Sequence, residues 1–144
     1  MATTVVHYDA YFDCLMRGTY HLAPPNTFKV MLMLPTYTFD AAGHRTLADI
    51  STLYEVPATG GYDAGGKLIE NTDVVNGVFI GDPVEWNPSS IVSNGFILYK
   101  VGATRLLSNL VMYCQFDSQT SENSLFRIPW NINGIIKLVG QYIG

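Results

Sequence analysis

The three histidines are the first residues to consider for chemistry, because an imidazole titrates near neutral pH. They are His7, His21 and His44, and none stands at a short metal-ligand spacing from a cysteine or a second histidine. His44 and Asp49 are five residues apart, a spacing that does not place two side chains on one face of a helix. We therefore expect His44 to be a loop residue bonded to a neighbour, and not a general base.

Paired carboxylates could hydrolyse a glycosidic bond if folding brought two of them together, about 5 to 10 Å apart in one cleft. Four acidic residues lie near the ends of predicted strands: Asp73, Asp82, Glu85 and Asp117. Turn capping and solvation explain most acids in such positions, and the chain has no Gly-x-Ser-x-Gly nucleophile motif. A small hydrolase is therefore supported only by these carboxylates, and we predict no catalytic residue and no enzymatic activity.

The glycine-rich segment 54–67 reads YEVPATGGYDAGGK and is the most unusual local pattern in the chain. It lacks the Gly-x-x-x-x-Gly-Lys-Ser/Thr order of a phosphate loop, and its likeness to a dinucleotide turn is weak without a βαβ context. Four glycines around one tyrosine instead predict tight bends. We interpret the segment as a shaped connection between strands in which Tyr62 packs inward, and we predict no cofactor and no metal site.

The two cysteines, Cys14 and Cys114, lie 100 residues apart in sequence and belong to no local pairing motif. We expect two free and mostly buried thiols, the usual state in a reducing cytoplasm.

The composition is unusually poor in charge. Of the 144 residues, which we interpret as one domain spanning 1–144, 48% are apolar and only 14% are charged, well below the roughly 25% charged residues of an average soluble protein. Much of the surface must then be neutral or apolar, which favours a subunit of an assembly, and specifically a homo-oligomer. A monomer with a surface rich in Ser, Thr and Asn remains the alternative.

The charge pattern bears on the class of partner. The net charge is −4 and the eight basic residues are scattered, whereas nucleic acids and anionic membranes require a basic stripe. The chain also lacks a basic segment followed by an apolar one at its start, and no apolar run approaches 18 residues. We predict no nucleic-acid partner and no membrane partner.

One helix and several strands position these groups. A helical apolar stripe predicts a short helix over residues 8–17 that stops at Gly18, and its members are Tyr8, Tyr11, Phe12, Leu15 and Met16. Such a stripe packs into a core or lies against a neighbouring subunit. The candidate interface residues are Tyr8 and Tyr11, together with Tyr142 and Ile143 in the C-terminal Gln141-Tyr142-Ile143 stretch.

The rest of the chain predicts β-structure. Residues 28–34 are apolar on both faces, which is typical of a central strand, and residues 96–101 and 106–116 predict a hairpin joined at 102–104. On the second strand of this hairpin we expect one shared face for Leu110, Met112, Cys114 and Phe116. Turns are predicted at 87–90 and 131–134, a short helix within 37–51, a polar connector at 117–123, and further strands at 68–75, 78–86, 125–130 and 135–139. The fold class is all-β: an antiparallel β-sandwich or jelly-roll-like barrel of about seven or eight strands.

The order of these pieces resembles a group of small virion proteins of tailed bacteriophages. The likeness covers most of the chain and rests on the aromatic helix ending in Arg17-Gly18, on Asn26-Thr27-Phe28-Lys29-Val30-x-Leu32, on His44 with Leu47, Asp49 and Ile50, on Val56-Pro57-Ala58-Thr59-Gly60-Gly61-Tyr62 with Gly65-Gly66, on the run from Leu106 to Phe116, on Phe126-x-Ile128-x-Trp130, and on Gly134-Ile135-x-x-Leu138. The chain departs from the group in having two glycines before Tyr62 where one is usual.

The resemblance implies a structural role in the virion, without an enzymatic activity or a cofactor. It favours a decoration or cement protein that stabilises the head by contacts with the major capsid protein or with other virion proteins. A tail, collar or fibre-attachment component is the alternative. A carbohydrate-binding module that uses exposed Tyr or Trp is a further one, weakened because Trp86 and Trp130 alternate with apolar residues and are expected to be buried.

Overall fold

A computed structural model describes residues 3–137 of the chain. Within that range the regular elements are β1 (Thr3–His7), α1 (Asp9–Arg17), β2 (Phe28–Met33), β3 (Lys67–Leu68), β4 (Asp73–Val75), β5 (Val78–Ile80), β6 (Val84–Ser89), β7 (Val92–Lys100), β8 (Asn109–Thr120), β9 (Ser124–Ile128) and β10 (Ile136–Lys137). Three short 3₁₀ turns lie at Leu47–Asp49, Thr52–Tyr54 and Arg105–Leu107. This confirms the all-β class with one helix near the N-terminus.

The number of strands exceeds the seven or eight predicted, because no strand is predicted over β1 and because the predicted strands 68–75 and 78–86 each divide into two, β3 with β4 and β5 with β6. Periodicity over two or three residues is too short to show where one strand ends and the next begins. The predicted last strand at 135–139 corresponds to β10, and residues 138 and 139 lie outside the described range.

The helix begins and ends close to its predicted bounds. Gly18 adopts a left-handed conformation with φ of 72°, and the backbone N–H of Thr19 donates to the carbonyl of Cys14 at 2.9 Å. These contacts satisfy the carbonyls that the last helical turn leaves open. The stop signal at Gly18 therefore acts as the sequence predicts.

The largest sheet has five antiparallel strands in the order β1-β8-β7-β2-β3. β2 lies between β7 and β3, as its two apolar faces predict. Val30 and Leu32 point into one core, while Met31 and Met33 point into another on the opposite face. A strand that is buried on both sides follows from this pattern.

Two cores sandwich the five-stranded sheet. The inter-sheet core separates it from the three-stranded sheet β10-β5-β4 and the two-stranded sheet β6-β9, and it contains Phe79, Trp86 and Phe126. The second core lies on the other face, where the 37–50 segment contributes Tyr37 and Leu47. The predicted short helix of this segment is the 3₁₀ turn Leu47–Asp49.

The β7–β8 hairpin is confirmed, but the shared face predicted on β8 is wrong for Leu110. Leu98 pairs with Met112 and Tyr99 pairs with Leu110, so Val111 is an extra residue in a β-bulge. The bulge reverses the alternation beyond it. Leu110 therefore joins the second core, while Met112 and Val111 both face the inter-sheet core.

Three predicted connections also differ from the structure. Residues 87–89, expected to turn, belong to β6, whose pairing with β9 shifts register between Trp86 and Ser89 around a cis Asn87–Pro88 bond. Residues 117–120 of the expected polar connector continue β8. The hairpin connection at 102–104 extends to Ser108, because the Arg105–Leu107 turn follows it. Polar strand residues with solvent on one side resemble loop residues in sequence.

Candidate interaction surface

His44 and His7 are held in position by contacts with neighbouring aromatic side chains. His44 Nδ1 lies 2.9 Å from the hydroxyl of Tyr37, which is also hydrogen-bonded to the hydroxyl of Tyr8 at 2.7 Å. This confirms the prediction that His44 is a loop residue bonded to a neighbour. His7 stacks on the ring of Tyr11 with centroids 5.4 Å apart, and burial lowers its pKa. Within residues 3–137, no cluster of three metal-ligating side chains is present.

The acids Asp73, Asp82 and Glu85 have structural contacts of the kinds expected for turn and surface residues. Asp82 accepts a hydrogen bond from the side-chain amide of Asn71 at 2.6 Å. Glu85 lies 3.2 Å from the guanidinium of Arg127 across the β6–β9 pair. Asp73 accepts from the next backbone N–H at 2.8 Å. These contacts explain the three carboxylates without a catalytic role.

The glycine-rich segment is closed by a buried tyrosine, as predicted. The Tyr62 hydroxyl donates to Oε2 of Glu55 at 2.6 Å and accepts from the backbone N–H of Leu32 at 3.0 Å. The N–H of Gly65 donates to the same Glu55 oxygen at 2.7 Å. Burial and the adjacent Glu55 charge raise the pKa of Tyr62. The segment is thus tied to β2 by a polar network inside the fold.

Glu55 is the residue of this network that sequence reasoning missed. Its side chain is buried, yet it looks like any solvated acid in sequence because its donors are seven and ten residues away. It also lines a cleft of about 440 Å³ with Lys29 and Arg105. Arg105 donates to the carbonyls of Leu47 and Ile50. These hydrogen bonds join the loop before β8 to the 37–50 segment, which is a structural role.

A larger cleft of about 550 Å³ opens between β1 and β9, and we call it the β1–β9 groove. Its walls come from the five-stranded sheet on one side and from β9 with the following turn on the other. The apolar lining side chains are Val5, Phe96, Met112, Cys114, Phe116, Leu125, Phe126, Ile128, Pro129, Trp130 and Ile135. Val5 is 50% exposed and Leu125 is 45% exposed. The groove is therefore an open, concave and largely apolar surface.

The prediction that Tyr8 and Tyr11 form an interface is wrong, because both side chains are buried within the chain. Tyr8 and Tyr11 are both 0% exposed, because Tyr8 packs in the second core and Tyr11 in the inter-sheet core. The helix instead presents Phe12 and Met16 to solvent, 41% and 80% exposed. Periodicity predicts the apolar stripe of the helix, but it does not show that the side with Tyr8 and Tyr11 is buried and the side with Phe12 and Met16 is exposed. The other two candidates, Tyr142 and Ile143, lie outside the described residues.

Trp86 is buried as expected, whereas Trp130 is only half-buried and lines the β1–β9 groove. Trp86 is buried and packs edge to face on Phe126, with ring centroids 6.0 Å apart. Trp130 is half-buried, and its indole N–H donates to the carbonyl of Asp82 at 2.8 Å. Neither ring forms a flat exposed platform of the kind that stacks on sugars.

Residues 3–137 also contain no helix long and apolar enough to cross a bilayer.

Comparison with known proteins does not place the chain in a family. No family model, no curated protein and no solved structure matches it.

Proposed function

We propose that this chain is a structural protein of a tailed-phage particle and acts as a decoration or cement protein on the head. The β1–β9 groove is the observation that carries the proposal, because an open apolar cleft on a weakly charged domain is a surface suited to protein contacts. The resemblance in motif order supports the same role. The partner would be the major capsid protein or another virion protein.

The lining of the groove combines aromatic and polar residues, as a protein interface does. Phe96, Phe116 and Trp130 contribute aromatic rings to the lining, and Thr3 and Gln119 are exposed polar members of it. Protein interfaces concentrate aromatic residues at the centre and polar residues at the rim. An apolar segment of a neighbouring virion protein would cover the exposed apolar side chains of this lining.

A binding experiment tests the proposal with a matched pair of substitutions. Leu125→Glu places a charge at the groove mouth, whereas Leu53→Glu places the same charge on an exposed leucine outside the groove. Phage particles depleted of the protein are incubated with each variant and sedimented. We expect Leu125→Glu to reduce co-sedimentation at least about tenfold, because a charge covered by a partner must be desolvated, and Leu53→Glu to bind like the unmodified chain.

Location in the particle is the second test. Mass spectrometry of purified virions should detect the protein, and labelling in electron micrographs should place it on the heads. Label confined to tails or collars would replace the head assignment with the tail alternative. A stable monomer that is absent from purified virions would overturn the structural role altogether.

A further inference from the structure

β1 forms one margin of the five-stranded sheet, and among the described residues it pairs only with β8. The backbone N–H of Tyr8 donates to the carbonyl of Val111. In an antiparallel ladder, residues bonded to the neighbouring strand alternate with residues whose backbone groups point the other way. Because Tyr8 bonds to β8, Val6 and Thr4 bond to it as well. Thr3, Val5 and His7 therefore direct their backbone N–H and C=O groups away from the sheet.

Within residues 3–137, this outer strand carries none of the usual protection against pairing. Its sequence, Thr-Thr-Val-Val-His, has four β-branched residues and no lysine, proline or acid. Its register with β8 runs without a bulge from Thr3 to His7. Natural sheets normally block such strands with charge, proline, bulges or a covering segment. The opposite margin of the same sheet follows that rule, since β3 is two residues long and contains Lys67.

We propose that two copies of the chain pair through their β1 strands, antiparallel about a twofold axis at Val5. The two five-stranded sheets then continue into one ten-stranded sheet. This inference rests on the geometry of β1 and does not depend on the virion assignment.

The free groups of β1 are self-complementary in this arrangement. A twofold axis at Val5 sets Val5 against Val5 of the second copy, and Thr3 against His7 of the second copy. Each of these pairs can exchange two backbone hydrogen bonds, as a hydrogen-bonded antiparallel pair does. A closed twofold contact of this kind uses the same patch on both copies.

The side chains of β1 also favour pairing with a second copy. Val5 faces the β1–β9 groove, so two half-exposed valines meet directly across the axis and the two grooves adjoin. The strand carries no permanent charge, and burial lowers the pKa of His7, which keeps its imidazole neutral at pH 7. No like charges therefore oppose each other along the paired strands.

The contact is small, because five residues a side bury less than the roughly 800 Å² per partner of a standard interface. We expect a reversible dimer whose population rises with protein concentration. Sedimentation velocity of the purified full chain over about a hundredfold concentration range measures this directly. Val5→Lys should abolish the concentration dependence, whereas Val92→Lys, at an exposed valine on β7, should leave it unchanged.

A cross-link tests the axis itself. Two Val5 positions in a hydrogen-bonded pair lie about 5.5 Å apart between Cα atoms, within the range that a disulfide spans. Val5→Cys is made together with Cys14→Ser and Cys114→Ser, because Cys114 pairs with Val5 across the β1–β8 ladder. Mild oxidation should convert this variant to a covalent dimer, with Val92→Cys in the same background as the control.

The outcomes are separable. A wild-type chain that stays monomeric throughout, with Val5→Cys cross-linking no faster than Val92→Cys, overturns the proposal. A dimer that survives Val5→Lys in a folded variant uses another surface and overturns it as well. Loss of the dimer in Val5→Lys, with retained circular dichroism and rapid Val5→Cys cross-linking, supports it.

Discussion

The hydroxyl group of Tyr62 joins the glycine-rich segment to β2, which is distant in sequence. It donates to Glu55, accepts from the backbone of Leu32, and shares the Glu55 oxygen with the N–H of Gly65. All of these groups lie at the contact between the glycine-rich segment and β2. A buried polar group that loses its hydrogen-bond partner destabilises the protein by more than the intact hydrogen bond stabilises it.

Tyr62→Phe tests this network at the scale of one atom. The substitution leaves the ring in place but deprives the buried Glu55 carboxylate and the Leu32 N–H of a partner. We expect the free energy of unfolding to fall by about 1–3 kcal/mol, measured by urea denaturation. Tyr54→Phe is the control, since Tyr54 is partly exposed. Equal stability of the two variants would show that the Tyr62 hydroxyl contributes nothing.

At the scale of elements, the glycine-rich segment approaches β2 backbone to backbone. Gly66 has φ of +83°, and a Cβ atom there would lie 1.8 Å from the carbonyl oxygen of Val30. Gly77, in the β4–β5 turn, has a similar φ of +78°, but a Cβ atom there would meet nothing within 4 Å. The first glycine is required by both conformation and space, and the second by conformation alone.

Alanine at these two glycines separates the two effects. Gly77→Ala should destabilise the protein by about 1 kcal/mol, the cost of a left-handed conformation for an L-residue. Gly66→Ala should cost at least about 3 kcal/mol, because β3 and the loop must also move away from β2. Thermal and urea unfolding measure both. Similar losses in the two variants would contradict the close backbone approach at Gly66.

At the scale of the whole molecule, the two thiols report on burial in the cores. Both are free, Cys14 half-buried and Cys114 buried. Burial raises the pKa of Cys114 to about 11, and burial is also the main cause that raises the pKa of Cys14. The thiolate is the reactive form, so both react slowly at neutral pH, and their reactivity increases as the pH rises.

Alkylation with iodoacetamide at pH 8, followed by mass spectrometry, tests this packing. We expect the folded protein to be modified first at Cys14, with Cys114 protected, and both thiols to react rapidly in denaturant. The Cys114→Ser variant serves to assign the slow site. Labelling of Cys114 as fast as Cys14 in the folded protein, or a disulfide between them, would contradict the arrangement of the inter-sheet core.

Features that depend on local residue types were predictable. The helix and its stop at Gly18, the two-faced strand β2, the β7–β8 hairpin and the inward position of Tyr62 all follow from side-chain period and backbone preference within a few residues. The structure confirms each of them. The sparse charge, which favours protein contacts, was likewise readable from composition.

Features that depend on distant partners were decided only by the tertiary structure. The bulge at Val111 moved Leu110 to the second core, and packing on both sides of the sheet buried Tyr8 and Tyr11. Glu55 became a buried acceptor because the folded glycine-rich segment, tied to β2, brings the Tyr62 hydroxyl and the Gly65 N–H to it. The sequence by itself determined the positions of the long strands β2, β7 and β8 and which residues prefer burial. Only folding determined which strand forms the outer margin of the five-stranded sheet within residues 3–137 and where the groove opens, because pairing order is a long-range property that no local pattern records.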